Sequence, residues 1–108
     1  MKKLPKETRL KIIRKAFKKI DSEQEDFLCP AIINTIWEES IDMDYLRHRY
    51  NISDYRYIRK LIPEFSIRTA QKKFGANKNR LLWWNYSSRV SRKRYLLYMW
   101  LKIKNAKN

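Results

Sequence analysis

The chain of 108 residues has little of what usually punctuates a fold or carries chemistry: one glycine, one cysteine, one histidine and three prolines. A lone cysteine excludes an internal disulfide and leaves the redox compartment open. One cysteine with one histidine is too few for a zinc constellation. The single glycine, Gly75, sits in "FGANKN", which is not a phosphate-cradling loop. No apolar run is long enough to span a bilayer. The basic start Met1-Lys2-Lys3-Leu4-Pro5 is not followed by the apolar core of a signal peptide. A cytoplasmic protein is the expectation, in the host cell cytoplasm if the chain is phage-encoded.

The largest absence is of negative charge. Residues 65–108 carry twelve Lys/Arg and no Asp or Glu. Residues 1–20 carry nine Lys/Arg against Glu7, and residues 21–64 reverse the balance with five Lys/Arg against ten Asp/Glu. The formal net charge is +15. Bringing like charges together opposes folding. An acid-free stretch of this length is a poor device for mere solubility, so the block pattern points to a polyanionic partner. The hydrophobic fraction of 44% excludes intrinsic disorder and is enough for one core.

What is present reads as helix. Alternating strand patterns are scarce and helical spacings recur. A first helix is expected from about Pro5 to Asp21, with Leu10, Ile13, Phe17 and Ile20 on one stripe and Lys11, Arg14, Lys15, Lys18 and Lys19 opposite. Ser22-Glu23-Gln24-Glu25 has the form of a capping box opening the next helix. The run Phe27 to Ile33, with Ile36 and Trp37 beyond, predicts a central buried helix that begins or kinks at Pro30. Met43, Leu46 and Tyr50 suggest a short third helix over 41–50. Ser53 caps another, with Tyr57, Ile58, Leu61 and Ile62 as its apolar face and Pro63 as its stop. Residues 66–82 form the longest irregular candidate, turning at Gly75-Ala76-Asn77. The last helix is expected from after Ser87 or Ser88 to about Lys104, packed through Val90, Leu97, Trp100, Leu101 and Ile103 and widened by Leu96 and Met99. The expected fold is a single-domain all-α bundle of four to five helices over residues 1–108, with a long basic loop before the last helix.

Four pieces of this order, "FLCPAI" at 27–32, "LIPEF" at 61–65, "WW" at 83–84 and a closing helix with Arg94 and Leu97, resemble small, largely uncharacterised phage and prophage proteins. Those proteins share LC-x-A, PE-hydrophobe, WW and a terminal helix with Arg and Leu. The likeness covers roughly residues 27–101. It implies a compact helical domain of phage type and no particular activity. It also favours packing over base stacking for Trp83 and Trp84.

No catalytic pattern emerges. Cys29 reads as a small buried hydrophobe, and His48, in "LRHRY", as a surface residue. Glu38, Glu39, Asp42 and Asp44 read as partners for the basic segments rather than as a metal site. Neither a cofactor, a small-molecule substrate nor an enzyme is expected. The positive signal is Arg89, Arg92, Lys93 and Arg94 at the start of the last helix. Cations there oppose the helix dipole, at up to about 1 kcal/mol each. With free backbone N–H groups and nearby serines they could instead receive phosphate. The alternative is that they pair internally with Glu38, Glu39 or Asp44. Lys72, Lys73, Lys78 and Arg80 in the loop, and Lys11, Arg14, Lys15 and Lys18 on the first helix, complete the candidate interface. The expected partner is a polyanion, RNA or DNA, or a nuclease–guide RNA complex, met by a monomer. The sharpest form is an anti-CRISPR-type inhibitor of an RNA-guided nuclease. A non-enzymatic phage DNA/RNA-binding accessory protein is the alternative, and a membrane-surface anchor built on the first helix ranks last.

Overall fold

The computed structural model describes residues 3–23, 28–39, 55–74 and 89–107. Five helices lie among them, with no strand: α1 (Lys6–Asp21), α2 (Leu28–Glu39), α3 (Tyr55–Leu61), α4 (Ile67–Phe74) and α5 (Arg89–Lys104). Outside the described residues fall the expected helix over 41–50, the Ser53 cap, the Gly75-Ala76-Asn77 turn, His48, Trp83 and Trp84. The side chains of Cys29 and Trp37 fall outside them too. The all-α class is as expected from the sequence.

Helix α1 follows Pro5, whose carbonyl accepts the Arg9 N–H at 2.9 Å. Arg9, Ile12, Ile13, Ala16 and Ile20 are buried, which is one face at helical spacing. The expected stripe was rotated slightly from this: Leu10 and Phe17 lie half-buried at its edge. The helix closes on Ser22, whose N–H donates to the Lys18 carbonyl at 2.9 Å and whose hydroxyl donates to the Lys19 carbonyl at 3.1 Å. Ser22 therefore finishes α1 instead of capping the next helix. Glu23 then takes the left-handed region at φ 64°. That conformation turns the chain away at a steric cost for a residue with a Cβ.

Helix α2 buries Ala31, Ile32, Ile33, Thr35 and Ile36, and the Thr35 hydroxyl is satisfied by the Ala31 carbonyl at 2.7 Å. Its start at Leu28 puts Pro30 in the first turn, where a missing N–H costs no helical bond. The sequence "LIPEF" makes a tight turn after α3. Ile62 N–H donates to Ile58 at 2.7 Å and Phe65 N–H to Ile62 at 3.0 Å, with Pro63 outside and Leu61, Ile62, Glu64 and Phe65 inside. Ser66 then caps α4: its hydroxyl accepts the Thr69 N–H at 3.2 Å. Residues 67–74, expected to be irregular, are thus helical, with Ile67 and Ala70 buried and Phe74 packed against the core.

Helix α5 buries Arg92, Tyr95, Leu96, Met99 and Ile103, the same spacing as the α1 face. Val90, Leu97 and Leu101, expected in the packed face, are instead 59%, 53% and 50% exposed. The helix is apolar on two sides, so periodicity alone permits either choice. The core selects the side that carries Tyr95. Tyr95 is fully buried among Phe65, Phe74 and Tyr98, and its hydroxyl donates to the Ser66 carbonyl at 2.9 Å while accepting the Ser66 N–H. Burial pushes the Tyr95 phenol above its ordinary range, so it stays neutral.

Helices α1 and α5 run antiparallel. Lys6 at the start of α1 donates to the Ala106 carbonyl at 3.0 Å, just past the end of α5. Lys93, in the first turns of α5, pairs with Asp21 at the end of α1. The radius of gyration is 13.0 Å, close to the value of about 13 Å for a folded chain of 100 residues.

One polar contact crosses this apolar interior. Arg9 Nε lies 3.1 Å from Glu64 Oε1, and the two side chains are 1% and 8% exposed. The approach is ionic rather than a well-aligned hydrogen bond. It ties α1 to the turn between α3 and α4. Removing one partner leaves the other charge buried. Glu64→Leu or Arg9→Met alone should therefore cost about 3–5 kcal/mol in urea unfolding. The double variant Arg9→Met/Glu64→Leu should lose less than either single change. A double variant as unstable as the sum of its parts would show that the pair is not coupled.

Candidate nucleic-acid interface

The cations that the sequence puts forward divide into three groups once the helices are packed. On α1, Lys11 Nζ lies 3.0 Å from Glu39 Oε2, Lys15 pairs with the other oxygen of the same carboxylate, and Lys19 lies 2.8 Å from Glu38. The acidic end of α2 thus covers three of the lysines. Arg14 and Lys18 are exposed, with no carboxylate among the described residues in ion-pair reach. The hydrogen bonds from Lys15 and Lys11 hold the Glu39 carboxyl below its ordinary value of 4.5.

At the start of α5 the picture departs from expectation. Arg89 Nη1 lies 3.1 Å from Glu23 Oε1 and Lys93 pairs with Asp21. Arg92 is 4% exposed and belongs to the core, so it is not presented on the surface. Of the four residues expected to form an open phosphate site, only Arg94 is fully exposed. Among the described residues the carboxylate partners are Glu23 and Asp21; Glu38 and Glu39 serve α1, and Asp44 lies outside the described residues. Antiparallel packing supplies the physical reason. Arg89 and Lys93 oppose the dipole of their own helix but face the carboxyl end of α1, which favours cations. Asp21 and Glu23 oppose the dipole of α1 but face the amino end of α5, which favours anions.

The third group lies where α4 meets α5. Lys72 and Lys73 are exposed on α4. Lys73 Nζ sits 4.6 Å above the centre of the Tyr98 ring, and Lys102 Nζ lies 5.9 Å from the same centre. Tyr98 is half-buried, with ring centres 5.7 Å from Phe74 and 6.3 Å from Tyr95. Arg68 is exposed on the same short helix. No carboxylate exists anywhere in residues 65–108 to neutralise this edge from within. Lys78 and Arg80, expected to join it, lie outside the described residues. Tyr98 and Lys102 were not among the residues expected from sequence, although their i, i+4 spacing on a helix is a legible signal.

Among the described residues, no three His, Cys, Asp or Glu side chains are grouped to hold a metal ion, and no helix is long and apolar enough to cross a membrane. No known protein family, curated protein or solved structure matches the chain.

Two outcomes follow from this geometry. Arg92→Glu should lower stability by about 2 kcal/mol or more, because it reverses a charge in the core, whereas Arg94→Glu should leave the melting temperature within about a degree. Equal melting temperatures would put Arg92 outside the core. Glu39 gives a pH dependence. Its carboxyl titrates lower in the folded than in the unfolded chain, so its stabilising effect is complete above the ordinary glutamate value and is lost as pH falls through the depressed one. The stability difference between the native chain and Glu39→Gln should therefore shrink on acidification below about pH 4.5. A difference independent of pH would contradict the pairing.

Proposed function

We propose that this protein is a non-enzymatic binder of nucleic acid, free or within a nucleoprotein, and that the α4–α5 edge is its principal contact. One observation carries the reading: Lys73 and Lys102 converge on the ring of Tyr98 in a part of the chain that has no acidic residue. No carboxylate pairs with these two lysines among the described residues, and cations so placed can displace counterions from a phosphate backbone. Lys72 and Arg68 extend the positive edge, and the exposed Arg14, Lys18 and Arg94 add long-range attraction. Recognition of this kind reads phosphate and shape rather than sequence.

The sharper form of the proposal is an anti-CRISPR-type inhibitor that meets an RNA-guided nuclease through its nucleic acid. It draws on the phage-type order of motifs, of which "LIPEF" forms the turn carrying Glu64 and Phe65 into the core. Inhibition of guided cleavage by the whole protein would support this form. Binding to naked RNA or DNA without inhibition would favour the accessory-protein form.

Fluorescence anisotropy with labelled single-stranded RNA and duplex DNA tests the underlying mechanism. If about five phosphates are neutralised, log affinity should fall with log salt at a slope near −3.5 for RNA and near −4.5 for duplex DNA. Lys73→Gln/Lys102→Gln should flatten the RNA slope by about 1.4 while leaving the melting temperature unchanged. A flat salt response in the native chain, or a slope the double variant does not alter, would remove this edge from the interface.

A further inference from the structure

The exposed side of α5 carries a second pattern that phosphate binding does not use. Val90, Leu97 and Leu101 are each at least half exposed, and they recur at intervals of seven and four. That is a stripe along one face of a helix. Solitary exposed leucines are ordinary on a protein surface, but Leu97 of this stripe lines a depression. Between α1 and α5 lies a groove of about 620 Å³ whose floor includes Ile13, Phe17, Leu97 and Trp100. Arg14 and Lys18 also line it. Asp21 lines it too, but its carboxylate is taken by Lys93, whose ammonium lies 5.6 Å from the centre of the Phe17 ring.

We propose that this groove docks an acidic amphipathic helix of a protein partner. The volume is within the range of about 300–1,000 Å³ typical of occupied sites. From Ile13 to Asp21 the α1 wall of the groove is about 12 Å long at 1.5 Å per residue, which matches about two turns of a ligand helix. Anchors at i, i+3 or i+4, and i+7 would seat on Leu97, Trp100 and Phe17 in the helix-in-groove mode. Carboxylates flanking those anchors would meet Arg14 and Lys18, which have no counter-charge among the described residues. Charge complementarity selects this occupant over the others. A second copy of the chain would set Arg14 and Lys18 near their own images across a two-fold axis. A phosphate backbone gains nothing from a floor of isoleucine, leucine and aromatic carbon. The inference stands on the apolar groove beside Leu97 and is independent of the nucleic-acid reading.

The test uses the whole protein and a fluorescein-labelled synthetic 14-residue peptide. The peptide carries leucine at i, i+3, i+7 and i+10 and glutamate on both flanks of that stripe. Two controls accompany it: a scrambled peptide of the same composition and a version with lysine for every glutamate. The acidic amphipathic peptide should bind saturably. Leu97→Glu and, separately, Arg14→Glu/Lys18→Glu should each weaken it by about tenfold, or 1.4 kcal/mol. Leu97 is half exposed, so its variant should melt like the native chain, and thermal unfolding of the same samples checks this. Leu97→Glu should leave RNA binding unchanged, and Lys73→Gln/Lys102→Gln should leave peptide binding unchanged, so this inference and the nucleic-acid reading can fail separately. The proposal is overturned if the scrambled peptide binds equally well, or if no saturable binding appears up to about 1 mM, an affinity of about 4 kcal/mol. It is overturned equally if sedimentation shows a dimer of the native chain that Leu97→Glu dissolves, or if anionic vesicles but no peptide are bound.

Discussion

Two cation-rich helices lie side by side, and the rest of the structure follows from how their like charges are disposed. Helix α1 has seven Lys/Arg in sixteen residues and α5 has six with no acidic residue. Side-by-side packing is opposed by repulsion unless the cations are sorted by position. The apolar faces meet in the middle. Arg9 is drawn inward to Glu64, and Arg92 is enclosed by the core. At one end of the pair, Asp21 and Glu23 receive Lys93 and Arg89; at the other, a carbonyl beyond α5 receives Lys6. Helix α2 places Glu38 and Glu39 over the flank of α1. Almost every acidic group in the described residues is engaged in this sorting. The cations left outside, on α4, on the far half of α5 and along one line of α1, are a remainder fixed by the fold.

Much of this was legible before any coordinates. The helical class follows from period and from the lack of glycine. The boundaries of α1 and α5 follow from Pro5 and from the run ending near Lys104. That the acidic 38–39 pair meets a basic segment follows from the opposite signs of the blocks; that this segment is α1 and not the start of α5 does not. What escaped was chosen by tertiary contact. Helix α5 has two apolar sides, and hydrophobicity ranks Leu97 and Val90 above Tyr95 and Arg92. The core reverses that order because Tyr95 finds two hydrogen bonds at Ser66 and Arg92 has long aliphatic carbon to bury. Helix α4 escaped because eight residues show barely two turns of period and its cap, Ser66, looks like any loop serine. The interface moved for the same reason. Sequence shows where cations cluster, but only packing shows which of them already have partners.

The two surfaces argued above are consequences of one helix. Turned inward, Tyr95, Leu96, Met99 and Ile103 of α5 hold the core. Turned towards α4, Tyr98 and Lys102 meet Lys73. Turned outward, Val90, Leu97 and Leu101 are exposed, and Leu97 lines the groove with α1. A helix apolar on two sides and basic on a third has little positional preference of its own. Its orientation is set by the Tyr95 clasp on Ser66 and by the two ion pairs at its start. Those few contacts decide which chemistry α5 displays to solvent.

The antiparallel pairing of α1 with α5 also has a consequence in time. The Lys6 contact with Ala106 spans a sequence separation of 100. Helical bundles owe their rapid folding to local contacts, and this one closes its core across nearly the whole chain. During synthesis at about 5–20 residues per second, Asp21 precedes Lys104 by roughly 4–17 s. For that interval the buried face of α1 has no α5 to cover it. Helix α2 follows α1 in the chain. Its isoleucines offer α1 a first apolar partner, and its two glutamates meet Lys11, Lys15 and Lys19 while the rest of the core is still to come. The isoleucines and the two glutamates of α2, which cover one flank of α1 in the finished fold, are thus made before α5.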